Sequence, residues 1–238
     1  MSVASWQAKG GLQVKHYSDA ESVAAAAAAW LRSCVCAAIE AGGDAVLAVS
    51  GGASPWPMYR CLVADDAVPW ARVHVVQVDE RIAEDGHADR NWTQVADVFG
   101  GVVSPENLHP MPVTANDLDE AAAAYAAMLA SLSGGAGITA AALGLGADGH
   151  TASLFPGDPV ESVTDRDVAV TAMAHAGRRR MTLTRPALDA ASHVLWHVVG
   201  AGKAAMAQRL VDGDDRIPAG AIRRDRAVLM TDCQVTAK

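Results

Sequence analysis

Short apolar runs without alternation, set between alanine-rich helical stretches and glycine-bearing loops, predict an α/β fold with a mostly parallel sheet flanked by helices. Two further observations bound it to one domain, residues 1–238. No linker-like Ser/Pro/Gly tract and no fixed-period repeat divides the chain, and α/β folds of this length often stay undivided.

The elements follow in order. Ser18 with Glu21 forms a capping box, and the alanine-rich stretch behind it stops at Gly42-Gly43, which predicts a helix over 18–41. Ala45-Val46-Leu47-Ala48-Val49 is apolar throughout, as a strand buried on both faces would be. After the loop Ser50-Gly51-Gly52-Ala53, Ser54 suits an N-cap and Pro55 the first helical position. A second strand over 73–78 leads to a polar loop over 79–90 and a helix near Asn91. Asp117 and Glu120 cap a further helix to about Leu132, Gly134-Gly135 stop it, and 140–145 reads as a third buried strand. Strands are expected over 168–173, 181–184, 194–199 and 227–231, with helices after Pro186 and around 203–210.

Composition excludes several functions. With 19 Lys+Arg against 27 Asp+Glu the net charge is −8, and the longest basic run is Arg178-Arg179-Arg180. That disfavours a nucleic-acid binder, which needs a concentrated basic face. The first 21 residues lack a charged region leading into an apolar one, which predicts a cytoplasmic chain. The apolar run 23–31 is too short for a membrane span of roughly 20 residues, so no membrane partner is expected. Cys34, Cys36, Cys61 and Cys233 lack the paired spacing of a zinc site and read as reduced.

Ligands of open α/β sheets bind at the carboxyl ends of strands, and the loops there are unusual. Ser50-Gly51-Gly52 points backbone N–H groups at the space before a helix, which suits an anion, although an ordinary tight turn has the same spacing. Asp79-Glu80-Arg81 puts two carboxylates and a guanidinium after a strand, and Arg81 can fork onto a carbonyl or phosphate oxygen. Gly144 to Gly149 contains a literal G-x-G-x-x-G, yet Phe155-Pro156-Gly157 follows too soon for the long helix a dinucleotide needs. What remains is a glycine turn presenting Asp148 and His150, a candidate general base. Arg178-Arg179-Arg180 and Gly200-Ala201-Gly202-Lys203 are either solvated charge clusters or sources of cations for a phosphate. His193 and His197 have metal-compatible spacing, but they sit in a buried strand without a third ligand, so no metal is expected.

Taken together, Ser50-Gly51-Gly52-x-Ser54-Pro55, Val78-Asp79-Glu80-Arg81 with Asn91, the block from Gly144 through Asp148-Gly149-His150 to Gly157, Arg180-Met181-Thr182-Leu183-Thr184, Gly202-Lys203 and Pro218-Ala219 resemble the 6-phosphogluconolactonases over about residues 18–231. One departure is Ala147, where a Glu often stands in that family. The resemblance implies a modified Rossmann-like fold and cofactor-free hydrolysis of 6-phosphoglucono-1,5-lactone in the pentose phosphate pathway. It also implies a base at His150 oriented by Asp148 or Asp79, with Arg81 and the Gly51 and Gly52 N–H groups as oxygen donors. Ser50 is a binding residue, since the G-x-S-x-G elbow of a nucleophile is absent, and Arg180 and Lys203 resemble phosphate-contacting cations. The expected partner is a small phosphorylated lactone, acted on by a monomer or weak dimer.

Two rivals remain. Glucosamine-6-phosphate deaminases share the glycine turns but carry Tyr and Glu where Arg81 and Phe155 stand. A sugar-phosphate-sensing regulator would add a DNA-binding unit, which the roughly 17 residues before the first helix cannot hold.

Overall fold

A computed structural model describes residues 4–237, apart from the side chain of Ser133; residues 1–3 and 238 of the expected domain lie outside it. The chain runs β1 (Ala4–Gln7), β2 (Gln13–His16), α1 (Ala20–Glu40), β3 (Ala45–Val49), α2 (Trp56–Val63), β4 (Val73–Gln77), β5 (Asp79–Arg81), α3 (Asn91–Phe99), β6 (Leu108–His109), α4 (Leu118–Ser131), β7 (Ala140–Leu143), β8 (Val168–Val170), β9 (Arg180–Leu183), α5 (Arg185–Ala190), β10 (His193–Val198), α6 (Ala204–Asp212), α7 (Pro218–Ala221) and β11 (Ala227–Thr231).

Eight strands form one sheet in the order β1-β2-β11-β10-β7-β3-β4-β6. Every pairing is parallel except the β1–β2 hairpin. The unalternating runs now have their reason: Val46 and Ala48 of β3 enter the hydrophobic cluster on one face, while Ala45, Leu47 and Val49 enter the cluster on the other. Burial on both faces leaves no solvent side for polar residues to mark. From β3 the chain steps outward to β4 and β6, then returns on the other side of β3 with β7. The carboxyl ends of β3 and β7 therefore border a topological switch point, where a crevice opens.

Helix α1 is long and apolar enough to cross a membrane, with a mean hydropathy of 1.6 over its best window. It nevertheless behaves as a core helix, burying Val23, Ala24, Ala27, Ala28, Leu31 and Val35 along one stripe. Its cap is Asp19 rather than Ser18: the Asp19 carboxylate accepts from the Ser22 N–H at 2.7 Å, and the Ser18 hydroxyl donates to Asp19 at 2.6 Å. Helix α2 likewise begins later than predicted. Pro55, not Ser54, is the cap residue, no side chain caps the helix, and Pro57 lies in its first turn. At α4 the predicted cap holds, with Asp117 accepting from the Asp119 and Glu120 N–H groups.

Residues 79–81, expected as loop, are strand β5, which pairs antiparallel with β9; β8 completes a second, three-stranded sheet. Strand periodicity sorts their roles. Asp79 and Arg81 face the crevice, while Glu80 points the opposite way and is fully buried. Its carboxylate accepts from the N–H groups of Asn91 (2.9 Å) and Trp92 (2.8 Å), and so caps α3 from another element. It also accepts from the Gln77 amide at 3.0 Å and lies 3.1 Å from the buried Arg90 guanidinium. Glu80→Gln would leave the buried Arg90 only the exposed Asp85 carboxylate and the Ala83 carbonyl, and would set an amide NH2 against backbone donors. Breaking one side of a buried pair costs about 3–5 kcal/mol, so urea denaturation is expected to show a loss of that order.

Candidate active site

The crevice at the switch point is a cleft of about 350 Å³. Eight of the nine residues singled out from the sequence line it: Ser50, Gly51, Gly52, Asp79, Arg81, His150, Arg180 and Lys203. Asp148, the ninth, stands behind His150 and reaches the cleft through it.

The glycine turn after β7 builds the Asp148–His150 pair. His150 Nδ1 lies 2.6 Å from Asp148 Oδ1, and the same oxygen accepts from the His150 backbone N–H at 3.1 Å. Partial burial works against the Asp148 carboxylate, but the hydrogen bonds from His150 outweigh it and hold its pKa below the usual carboxylate range. With Nδ1 engaged, Nε2 is the nitrogen left for chemistry. Two glycines make the pair possible. A Cβ on Gly146 would fall 2.1 Å from His150 Nδ1, and one on Gly149, already at φ +90, would strike Ile217. The Ala219 N–H donates to the Gly149 carbonyl at 3.1 Å, so the Pro218-Ala219 segment buttresses the turn.

Asp79 is placed differently. Its Oδ2 accepts from the Ser153 hydroxyl at 2.5 Å and lies 3.7 Å from the Arg180 guanidinium. Burial raises its pKa, against the Ser153 hydrogen bond and the Arg180 charge. Between the two candidate partners of His150, the carboxylate hydrogen-bonded to the imidazole is thus Asp148.

Arg81 is aimed by Asn91, whose Oδ1 accepts from it at 2.9 Å, and by the Asp89 carbonyl at 2.8 Å. Asn91 in turn donates to the Asp79 carbonyl at 3.2 Å. It fits only because residue 51 is glycine: a Cβ there would lie 2.1 Å from Asn91 Oδ1. Ser50 gives its backbone N–H to the buried Tyr59 hydroxyl at 3.0 Å, so the open donors of that loop are those of Gly51 and Gly52.

The basic run is divided. Arg178 pairs with Asp89 on the surface, Arg179 donates to the Thr171 carbonyl, and only Arg180 turns inward. Arg180 packs over the Phe155 ring at 5.4 Å and donates to the His175 carbonyl at 3.3 Å. Its Nε has no partner among the described residues, and desolvation lowers its pKa against the opposing pull of Asp79. Lys203, in the turn before α6, donates to the Leu145 carbonyl and has no carboxylate within ion-pair distance among the described residues. Arg81, Arg180 and Lys203, with the Gly51 and Gly52 N–H groups, give the cleft a lining suited to an anion.

His175 and Asp158 escaped the sequence reading, and so did the contacts of Phe155, Ser153 and Asn91. Phe155 lies between the imidazoles of His150 (centroids 4.4 Å apart) and His175 (3.7 Å, stacked). His175 is fixed by the buried Asp158 at 3.0 Å. Ser153 and Asn91 stood inside quoted motifs, but their partners, Asp79 and Arg81, are joined to them only by the fold.

A family model described as glucosamine-6-phosphate isomerases/6-phosphogluconolactonase matches residues 18–231. The chain belongs to this family. A 6-phosphogluconolactonase of Synechocystis is 39% identical over 70% of this chain and 71% of its own. One from Mycobacterium tuberculosis is 33% identical over 94% and 97%. The fold is shared more widely: a 6-phosphogluconolactonase from Thermotoga maritima superposes with TM-score 0.80 at 23% identity over 93% of this chain and 98% of its own. A monomeric glucosamine-6-phosphate deaminase gives the same TM-score at 19% identity over 92% and 96%. Within the family, then, fold alone does not separate the two activities.

Proposed function

We propose that this chain hydrolyses 6-phospho-D-glucono-1,5-lactone to 6-phospho-D-gluconate, with His150 as general base and Asp148 as its orienting carboxylate. The observation that carries the mechanism is the 2.6 Å Nδ1–carboxylate contact in a histidine that lines the cleft, which leaves Nε2 without that partner. Nε2 takes a proton from water as its oxygen attacks C1 of the lactone. Charge develops on the carbonyl oxygen, for which Arg81 and the Gly51 and Gly52 N–H groups are the donors. Collapse of the tetrahedral intermediate breaks the bond to the ring oxygen, which receives the proton held by His150. The new carboxyl group ionises in water.

Arg180 and Lys203 hold the 6-phosphate. The reading includes a cytoplasmic site of action and a monomer or weak dimer, as the sequence led us to expect. It places the deaminase second. The curated relatives at 33–39% identity described above are lactonases, and Phe155 offers no proton for opening an amino-sugar ring.

A coupled assay that generates the lactone in situ tests the proposal. Hydrolysis above the spontaneous rate is expected, with glucono-1,5-lactone a poor substrate and KM strongly raised in Arg180→Ala or Lys203→Ala. Equal efficiency on the unphosphorylated lactone would refute the phosphate assignment. Ammonia release from glucosamine 6-phosphate at a comparable rate would reverse the ranking.

A further inference from the structure

His197 is a buried histidine for which the fold supplies no partner. It lies near the end of β10 with 4% of its surface exposed, and neither ring nitrogen has a hydrogen-bond partner among the described residues. The other cleft histidine is satisfied by Asp148, and outside the cleft His175 is satisfied by Asp158 and His74 by His109. Leaving buried polar atoms unpaired is costly, and native proteins rarely tolerate it without a ligand or water to complete them. An imidazole in a strand otherwise made of Val194, Leu195, Trp196 and Val198 gains nothing over leucine by packing alone.

Its position suggests what completes it. Trp196 pairs with Leu143, so His197 stands beside the start of the glycine turn that carries His150. It lines the same cleft as Lys203, six residues further along the chain. The charged groups that act on it are Asp232 and Lys203. The Asp232 carboxylate is held by the Gly200 N–H at 2.8 Å, whereas Lys203 has only a carbonyl.

We propose that His197 is a further ligand of the substrate's phosphate, its imidazole N–H donating to a phosphoryl oxygen that Lys203 also holds. This rests on the lactonase reading and adds to it a specificity-determining residue. Burial, with Lys203 adding to it, pushes the His197 pKa down to about 4, so the ring is neutral at working pH. A neutral imidazole contributes a directed donor where a second ammonium would be repelled by the first. The arrangement divides the work: Lys203 supplies charge and His197 supplies orientation, through a buried ring donor with no partner among the described residues.

The test compares His197→Leu, His197→Gln and Lys203→Ala with wild type. A hydrogen bond to a charged group corresponds to about 10–100-fold in binding. We expect His197→Leu to raise KM for the phosphorylated lactone and Ki for inorganic phosphate by at least about tenfold. It should leave kcat within a few-fold, and KM for glucono-1,5-lactone unchanged. His197→Gln, which keeps a donor, should recover part of the loss. Because leucine removes orphaned polar atoms, His197→Leu should also melt at or above the wild-type temperature, which separates lost binding from lost folding. If His197→Leu keeps wild-type KM and Ki while Lys203→Ala loses both, His197 is merely a hydrated core residue and the proposal fails alone. If Lys203→Ala is also silent, the phosphate reading itself is wrong.

Discussion

Replacing His150 by alanine is expected to lower kcat by about 10²–10⁴-fold, the range general base catalysis supplies, while KM stays within a few-fold. The cleft keeps its cations and backbone donors in this variant, so ground-state binding survives and only proton transfer is lost. The lactone opens spontaneously, and the background must be subtracted or it will hide the loss. A folded variant with near wild-type kcat would remove His150 from the mechanism. It would leave Asp79 as the remaining candidate, since both oxygens of Glu80 are occupied by backbone donors, Gln77 and Arg90.

The second large effect comes from a residue with no side chain. Gly146→Ala would set a Cβ 2.1 Å from His150 Nδ1 and 2.6 Å from Asp148 Oδ1. The imidazole must then swing out, and the hydrogen bond that fixes its tautomer breaks. Losing the carboxylate that orients a catalytic histidine costs about 10⁴-fold where the base activates a serine. With a less constrained water as nucleophile, a fall in kcat on the order of 10²–10³-fold is expected. The backbone at Gly146 is not in the positive-φ region, so folding should be retained, which circular dichroism and a melting curve can verify. A kcat within twofold of wild type would mean the dyad is not what orients the base.

The parallel strands were legible in the sequence because burial on both faces writes a dense apolar run, as in 45–49 and 227–231. The small sheet was not. Three residues, Asp79–Arg81, are too few to display a period of two, and their strand partner lies about a hundred residues away in β9. The opening strands β1 and β2 were missed for another reason: they are an edge hairpin with mixed polarity, Ala4–Gln7 being mostly exposed. The motif residues did gather in one cleft, since loops at strand ends converge wherever the sheet is parallel. What the motifs could not express was division of labour. Asp79 and Asp148 are chemically equivalent in a sequence, and only the Ser153 hydroxyl beside one and the imidazole beside the other tell them apart.

Arg81 and Arg180 are direct partners in the β5–β9 register, so their side chains leave the same face of the small sheet. Like charges in that relation push apart; Arg81 is held by the Asp89 carbonyl and the Asn91 amide, Arg180 by the His175 carbonyl, and the Asp79 carboxylate attracts both, lying 3.7 Å from Arg180. On the proposed reading, a phosphate held by Arg180 would relieve that repulsion. Substrate and product would then steady the small sheet, and a ligand at a hundred times its Kd would add about 2.7 kcal/mol of stability. Any substitution that made the empty protein sturdier by removing one of these arginines would weaken the attraction that draws the dianion in, because both effects arise from one electric field.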